Sequence, residues 1–251
     1  MNKGFIIDME GTLINSGKPI PGAIDFINYL NKNCIQYYIV TNTVSKTIEQ
    51  YEEILMHIGI EIVKEKIVNP IIVLNTYLRE NGINKYFFVG PDKTKKLLPE
   101  TLKYDIPDYI IFCDFENIEL NYDYMNNIFQ YIKRGAKIIT TSYSDFYVSK
   151  NEFKMDTGIF VKMYEALTDK KAINVGKPSE IIYKTAINKF IELDRNNICV
   201  IGDDGFSDIM GAKEIGMETI MVKTGIYRNG DEKKYKPNKI IENLSEIIKE
   251  I

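Results

Sequence analysis

The feature that most constrains how this chain folds is a regular alternation of short, continuous apolar runs with amphipathic stretches. The apolar runs, such as GFII, YYIV and ICVIG, are rich in Ile, Val, Tyr and Phe and predict β-strands. Continuous apolar strands that alternate with helices are typical of a parallel sheet covered on both faces. We therefore predict an α/β fold for this chain.

The predicted elements follow one another along the whole chain. The strands are predicted at residues 4–8, 36–41, 85–89, 109–113, 136–141, 198–202 and 218–222. The helices are predicted near residues 22–32, 45–58, 70–81, 122–133, 157–167, 178–190, 206–215 and 240–250. Ser45 is expected to cap the second helix and Gly59 to end it, while Pro178 and Ser179 open the helix near 178–190. No internal repeat or low-complexity linker is visible, so any second domain is expected to be an insertion.

Composition excludes several classes of function. The chain has 251 residues, of which 45% are apolar and 27% charged, and this is ordinary for a globular protein with a sizeable core. A net charge of −3 without a basic block argues against nucleic acid or an anionic membrane surface as a partner. No apolar run approaches the roughly 18 residues of a membrane span, and the first residues do not resemble a signal peptide. Cys34, Cys113 and Cys199 lack metal-ligand spacing, so we expect reduced thiols and a cytoplasmic location.

Polar residues gather where the predicted strands end, the edge at which parallel α/β sheets bind ligands. Asp8 and Glu10 follow the first strand, where buried acids cost desolvation energy unless a partner neutralises them. The other candidates are Thr41, Asn42, Lys177, Asp203, Asp204 and Asp208. Carboxylates suit Mg²⁺, which keeps several waters and shares phosphate oxygens, while lysine and threonine suit the phosphate. This set could hold a divalent cation and a phosphate together.

Four segments, in this order, resemble the motifs of the haloacid dehalogenase (HAD) superfamily of phosphotransferases. They are DMEGT, VTN, GKP and GDDGFSD. A single D-x-x-G-T is a weak signal, whereas the ordered set with this spacing is specific, and the resemblance covers almost the whole chain. It implies a Rossmann-like core with a parallel sheet. The details GKPIPGA, TGI and IPDYIIFC look like the NagD-like (type IIA) branch.

The spacing of the motifs also locates an inserted domain. Only one predicted helix separates Asp8 from Thr41, but about 135 residues separate Thr41 from Lys177. The latter is the position of the large type-2 cap in the resembled branch. The resemblance therefore implies a core of residues 1–69 and 172–251 and an inserted α/β cap of residues 70–171 that selects the substrate.

The resemblance also implies a role for each motif residue. Asp8 is the nucleophile that forms an aspartyl-phosphate, and Glu10 is the general acid and base. Thr41, Asn42 and Lys177 hold the phosphoryl group, with Lys177 offsetting charge repulsion. The implied Mg²⁺ ligands are Asp8, Asp203, the backbone carbonyl of Glu10, and Asp208 directly or through water. The implied activity is hydrolysis of a small-molecule phosphomonoester.

One residue departs from the family pattern. The position two after the nucleophile is usually aspartate in these phosphatases, and here it is Glu10. Glutamate keeps the carboxyl group but adds a methylene, which shifts the carboxyl by roughly 1 Å, and such a shift can change rates about 100-fold. We therefore expect either a site adapted to glutamate or a weakened turnover.

Residues outside the motifs are expected to contact the leaving group. Thr43, Val44 and Ser45 form the loop after the second motif, and TTSYSDFY in the insertion supplies Tyr143 and Asp145. The resembled branch often carries an Asn-Pro-Asp-like stretch at the latter place, so the departure leaves the substrate open among nucleotides, sugar phosphates and similar compounds. In some relatives the cap also mediates dimers, which makes a homodimer through the cap an expectation of the resemblance.

Two other interpretations compete with a phosphatase. A degenerate member of the fold would bind a phosphorylated ligand without efficient turnover, with Glu10 as the lesion. A phospho-accepting receiver domain also uses acids, Thr and Lys at strand ends, but it is about half as long and has no place for the insertion. Asp204 is expected to support the site indirectly or to lie in solvent, and His57, the only histidine, is expected to be structural.

Overall fold

The structure of the protein is a computed structural model that describes residues 3–115, 118–149 and 152–249. The chain folds into two compact units. Unit 1 consists of residues 1–69 and 177–251, and unit 2 of residues 70–176. The sequence placed the end of the insertion at residue 171, whereas a short strand after that residue pairs within unit 2. The assignment of unit 2 as a substrate-selecting cap stays a prediction.

The described residues form fourteen strands and ten α-helices. The strands are β1 (Gly4–Ile7), β2 (Ile14–Asn15), β3 (Lys18–Pro19), β4 (Tyr37–Val40), β5 (Ile67–Val68), β6 (Tyr86–Val89), β7 (Tyr109–Phe112), β8 (Lys137–Thr140), β9 (Phe146–Ser149), β10 (Glu152–Met155), β11 (Ile173–Asn174), β12 (Ile198–Gly202), β13 (Glu218–Val222) and β14 (Lys239–Ile241). The α-helices are α1 (Ala23–Lys32), α2 (Ile48–His57), α3 (Pro70–Glu80), α4 (Asp92–Lys95), α5 (Tyr122–Lys133), α6 (Thr157–Thr168), α7 (Glu180–Ile187), α8 (Gly211–Glu214), α9 (Asp231–Tyr235) and α10 (Ser245–Ile248).

Unit 1 contains a six-stranded parallel sheet in the order β14-β13-β12-β1-β4-β5. β1 lies next to β12 on one side and to β4 on the other, so the direction of strand addition reverses at β1. In such sheets this switch point opens a crevice at the carboxyl ends of the strands. The parallel α/β architecture predicted from the apolar runs is confirmed.

Both faces of this sheet are buried because side chains of successive strand residues point to opposite faces. On one face, Phe5 and Ile7 of β1 pack into the core with α1, α2 and the residues around α10. Phe5 and Phe26 of α1 form an edge-to-face pair with ring centroids 5.7 Å apart. Ile6, on the opposite face, is equally buried, and α7 and α8 contact strands of the sheet. The continuous apolar strands thus follow from two covered faces.

Several predicted helix boundaries are wrong, each for a local reason. Thr47, and not Ser45, caps α2, because its side chain accepts the Gln50 N–H while the Gln50 side chain accepts the Thr47 N–H. The predicted helix at 240–250 begins instead with β14, which pairs with β13. The predicted helix at 206–215 is a π-helical turn, Gly205–Met210, followed by α8. Ser179 caps α7 as predicted, although that helix ends at Ile187.

Unit 2 contains its own parallel sheet, in the order β11-β8-β7-β6, and a separate β9–β10 hairpin. Helices α5 and α6 bury Ile128, Ile132, Val161 and Tyr164 in a core with the strands. β11 pairs with β8 through Ile173 and Ile139, which extends the unit beyond residue 171. Among the helices of the described residues, none is both long and apolar enough to cross a membrane.

Candidate active site

Three adjacent strands of unit 1 end in polar residues that the sequence singled out. Asp8 follows β1, Thr41 follows β4 and Asp203 follows β12, and these strands are neighbours in the sheet. All three residues are buried, with relative exposures of 6%, 1% and 2%. Because the strands are parallel, their carboxyl ends share one edge, and the fold brings the three side chains to that edge.

Lys177 brings a positive charge to this edge. Its Nζ donates to a carboxylate oxygen of Asp8 and lies 2.7 Å from Oδ1 of Asp208. Burial by itself lowers the pKa of Lys177, but the carboxylates of Asp208 and Asp8 outweigh it and hold the pKa well above its usual value. Lys177 is therefore a buried ammonium that joins two acids from different segments.

Three carboxylates converge at this point. Asp8, Asp203 and Asp208 each offer an oxygen, and these oxygens lie within 4.8 Å of one another. Burial raises the pKa of each of the three carboxyl groups from 3.8 to about 7, despite the opposing effect of Lys177. The negative charge of a neighbouring carboxylate raises each of these pKa values further, as that of Asp208 does for Asp203. Three buried acids facing one ammonium leave an excess of negative charge, which suits a bound cation with oxygen ligands.

Asp203 is held in place by its surroundings on several sides. Its Oδ1 accepts the Thr12 hydroxyl at 2.9 Å, and its Oδ2 accepts the Ile226 N–H at 2.8 Å. A Cβ at Gly11 would lie 2.2 Å from Oδ2 of Asp203, and a Cβ at Gly225 would lie 2.0 Å from the same atom. Only glycine backbone can approach this carboxylate so closely, so the two glycines form a cradle for it.

The cradle gives a prediction about stability with a matched control. Gly11 and Gly17 both have positive φ, at 90° and 75°, but a Cβ at Gly17 has no neighbour within 4 Å. Gly17→Ala should therefore lose about 1–2 kcal/mol from left-handed strain alone. Gly11→Ala should lose a further ~1–3 kcal/mol, because its methyl group overpacks against Asp203. Urea unfolding of both variants tests this, and equal losses would mean that the contact with Asp203 is unimportant.

Asp208 is positioned by the π-helical turn that carries it. Its Oδ2 accepts the Asp204 N–H at 3.2 Å, and a Cβ at Gly202 would lie 2.3 Å from this carboxylate. The buried hydroxyl of Tyr183 on α7 donates to the Ser207 carbonyl at 2.7 Å. Asp204 caps the turn through the Phe206 N–H at 2.9 Å. These contacts within and around the segment GDDGFSD thus hold Asp208 in place.

Glu10 lies two residues beyond Asp8, in the loop between β1 and β2, and forms an isolated bridge with Ile14. Its side chain is exposed. Desolvation by neighbouring groups nevertheless raises the pKa of Glu10, while the nearby charge of Lys46 lowers it. A carboxyl group that is open to solvent can exchange protons with water, and a raised pKa makes it a better proton acceptor.

The loop after β4 arranges the residues of the second motif. The Thr41 hydroxyl lies 3.1 Å from the Thr43 hydroxyl and accepts the Thr43 N–H at 3.2 Å. Ser45 Oγ lies 3.3 Å from the Tyr51 hydroxyl. The side chain of Asn42 instead bonds to the main chain of Lys177, accepting its N–H at 2.7 Å and donating to its carbonyl at 3.0 Å. Asn42 thus joins the second motif to the third.

Two predicted substrate-contacting residues belong to unit 2, where both have partners. The Tyr143 hydroxyl donates to Oε2 of Glu165, a buried carboxylate that also accepts the Ala172 N–H at 2.7 Å. Asp145 forms an ion pair of 2.6 Å with Lys162. Contact of Tyr143 and Asp145 with a substrate stays a prediction.

The sequence predicted no role in the site for several residues that the structure places in contact with the candidates. These are Thr12, Tyr183, Gly225 and Glu165. Thr12 lies within the quoted DMEGT motif, so a search for hydroxyls beside acids could have found it. Tyr183 and Glu165 lie on helices among apolar residues, and nothing in the local pattern distinguishes them from core positions.

Comparisons with known proteins agree on one family. A model described as haloacid dehalogenase-like hydrolase matches residues 5–101, and one described as HAD-hydrolase-like matches residues 174–247. Together the two matches cover more than half of the chain. An acid sugar phosphatase from Staphylococcus saprophyticus is 27% identical over 256 aligned positions, which cover 99% of this chain and 98% of the relative.

Two solved structures share the fold. A 4-nitrophenylphosphatase from Thermotoga maritima aligns with a TM-score of 0.88 and 23% identity, over 98% of this chain and 96% of that one. NagD from E. coli K-12 aligns with a TM-score of 0.85 and 24% identity, over 97% of both chains. At these identities the likeness concerns the fold alone.

Proposed function

The chain belongs to the haloacid dehalogenase-like hydrolases, and from this premise we propose that it is a Mg²⁺-dependent phosphatase of small-molecule phosphomonoesters. The family makes it a phosphatase, an enzyme that acts on phosphorylated substrates. The observation that carries the finer proposal is the convergence of Asp8, Asp203 and Asp208 on Lys177 at the carboxyl edge of the sheet. This arrangement is consistent with Asp8 as a nucleophile whose charge is offset by neighbouring positive charge.

In the proposed reaction, a carboxylate oxygen of Asp8 attacks the phosphorus of the substrate. A bond forms between that oxygen and phosphorus while the bond from phosphorus to the leaving oxygen breaks, and Glu10 donates a proton to the leaving oxygen. The Glu10 carboxylate then takes a proton from a water molecule, whose oxygen attacks the phosphorus of the aspartyl-phosphate while the bond from phosphorus to the Asp8 oxygen breaks. Inorganic phosphate leaves, and Asp8 and Glu10 return to their starting forms.

The charges of the site have distinct proposed roles. Asp8, Asp203 and the backbone carbonyl of Glu10 would hold Mg²⁺, with Asp208 binding directly or through water. The bound ion would supply positive charge that offsets repulsion between the nucleophile and the phosphoryl oxygens. The ammonium of Lys177 and the Thr41 hydroxyl would hold the phosphoryl group, because both lie at the same edge of the sheet as Asp8.

The role of Glu10 gives a prediction about turnover. Glu10→Gln removes proton transfer at nearly constant shape and should lower kcat about 100-fold or more. Glu10→Asp keeps the carboxyl but withdraws it by one methylene, and its kcat should be equal to or lower than that of the wild type if the site is adapted to glutamate. Steady-state kinetics of both variants with one substrate measure this, and a clear gain for Glu10→Asp would mean that glutamate weakens the site.

Glu10 also favours a second candidate function. A protein with an exposed glutamate at this position could bind a phosphorylated ligand without efficient turnover. Release of phosphate from 4-nitrophenyl phosphate, with and without Mg²⁺, separates the two candidates. We expect release that requires Mg²⁺, and intact binding without release would support the second candidate.

The substrate is proposed only by class. The relative named acid sugar phosphatase supports sugar phosphates, and nucleotides or similar metabolites stay open. Unit 2 is proposed as the cap that selects the leaving group, with Tyr143 and Asp145 from unit 2 and Thr43 and Ser45 from the second-motif loop as contacts. A phosphate-release screen over a panel of metabolites tests this, with Asp8→Asn as the blank. We retain a homodimer through the cap and a cytoplasmic location as proposals.

A further inference from the structure

The side chain of Asn42 has a bonding pattern that its predicted role does not require. Its amide accepts the Lys177 N–H at 2.7 Å and donates to the Lys177 carbonyl at 3.0 Å. A single side chain thus satisfies both main-chain groups of one residue, as a neighbouring strand would. The two residues are 135 positions apart in the sequence, so the pair joins distant segments of unit 1.

Both main-chain groups of Lys177 are fixed while its ammonium lies between two acids. The Nζ atom contacts Asp8 and Asp208, and the side chain is only 4% exposed. With the backbone of Lys177 held at one end and its ammonium at the other, the lysine has little freedom to shift toward either carboxylate. A shift of the Lys177 main chain would therefore also move its ammonium relative to Asp8.

The chain on either side of Lys177 is held by other contacts, but Asn42 bonds to the main chain of Lys177 itself. After Lys177, Pro178 packs against Gly211, where an added Cβ would lie 2.7 Å from Pro178, and Ser179 caps α7. Before Lys177, β11 pairs with β8, and the Val175 N–H donates to the Thr140 carbonyl at 2.8 Å. Lys177 is the first residue of the second segment of unit 1, and the side chain of Asn42 bonds to both of its main-chain groups.

We propose that the side chain of Asn42 is a positioning residue for Lys177 and that it does not act as a phosphate ligand. This inference rests on the proposed function for its effect on the reaction, but not for its effect on Lys177 itself. In the hydrolysis of a phosphomonoester, Asn42 places the ammonium that offsets the charge between Asp8 and the phosphoryl group. Its contribution belongs to the chemical step, where the charge of Lys177 matters most.

The first test measures Lys177 without any reaction. Wild type and Asn42→Ala are treated with limiting acetic anhydride, and acetylation is quantified by mass spectrometry at Lys177 and at Lys184, which is exposed on α7. We expect several-fold faster labelling of Lys177 in Asn42→Ala, with Lys184 unchanged. Unchanged labelling of Lys177 would overturn the proposal, and a parallel rise at Lys184 would indicate general loosening and overturn it too.

The second test separates kcat from KM. Asn42→Ala should lower kcat about 10- to 100-fold with KM little changed, since misplacement of about 1 Å can change rates about 100-fold. In a Lys177→Ala background the same substitution should have no further effect, because the two residues act through one charge. Two results would overturn the proposal and indicate that Asn42 binds phosphate directly. One is a rise in KM at constant kcat. The other is a loss of kcat for Asn42→Ala that is equal in the wild-type and Lys177→Ala backgrounds.

Two further variants keep both tests decisive. Asn238→Ala is the matched control. The side chain of Asn238 also accepts a main-chain N–H, that of Thr219 at 3.0 Å, but it does so near the amino end of β13, away from the carboxyl edge of the sheet. This substitution should leave both the labelling of Lys177 and kcat unchanged. If Asn42→Ala does not fold, Asn42→Asp keeps the acceptor for the Lys177 N–H and should give a smaller rise in labelling. A wild type without phosphatase activity would refute the proposed function alone, because the labelling result would stand.

Discussion

Replacing Asp8 with asparagine should lower kcat at least ~10⁴-fold, the scale seen when a nucleophile is removed from a hydrolytic site. Asparagine has nearly the same shape as aspartate, but its amide is a poor nucleophile and carries no charge. The loss should appear in phosphate release from 4-nitrophenyl phosphate and from any metabolite found in the screen. Binding of inorganic phosphate should persist, since Lys177 and Thr41 are unchanged.

Asp25 on α1 supplies the control for this substitution, because it is exposed and lies in a different part of unit 1. Asp25→Asn should retain the kcat of the wild type. A loss of only a few-fold for Asp8→Asn would contradict the proposed nucleophile and leave Asp8 as a charge that supports a different reaction. Mass spectrometry of the wild type quenched during turnover adds a direct readout, because a phosphorylated peptide should contain Asp8.

Removing divalent cations with a chelator should abolish turnover and also change how stability depends on pH. In the metal-free protein, burial raises the pKa of Asp8, Asp203 and Asp208 from 3.8 to about 7. Between pH 4 and 7 the folded state therefore binds more protons than the unfolded state at these groups. The contribution of the three acids to stability should fall as pH rises through this range. The raised pKa of Lys177 does not change stability between pH 4 and 7. The stabilisation that it provides is fully present below 10.5, the usual pKa of lysine.

Mg²⁺ should reverse this loss, since it binds the ionised carboxylates and not the protonated ones. At a concentration about 100-fold above the dissociation constant, the gain is about 2.7 kcal/mol, or roughly 5–10 °C in Tm for a domain of this size. We expect this gain at pH 8 and almost none at pH 5. Thermal unfolding with chelator or Mg²⁺ at both pH values measures it.

Asp203→Asn is the control for the metal prediction. The Asp203 carboxylate is one of the three that converge with Asp8 and Asp208. The variant should therefore lose most of the gain in stability that Mg²⁺ gives at pH 8. An equal gain from Mg²⁺ at pH 5 and pH 8 in the wild type would show that the ion binds elsewhere. Chelation that leaves turnover intact would contradict the proposed dependence on Mg²⁺.

Much of the fold could be predicted because it depends on local patterns. The apolar runs ICVIG and ETIMV coincide with β12 and β13, whose sequence bounds are unchanged in the structure. Short or marginal elements could not be predicted in the same way. β5 and β11 have two residues each, too few to show a period, and β14 lies in a segment whose apolar spacing also fits a helix. Their pairing depends on neighbouring strands that are distant in the sequence.

The sequence by itself determined which residue types stand where the strands end, because strand ends are recognisable from local composition. It therefore identified Asp8, Thr41 and Asp203 as candidates. Only the tertiary structure decided how these residues are held. Thr12 reaches Asp203 across 191 positions, and Asn42 reaches Lys177 across 135. Such contacts depend on strand order and loop geometry, which arise from packing of the whole sheet and leave no local pattern in the sequence.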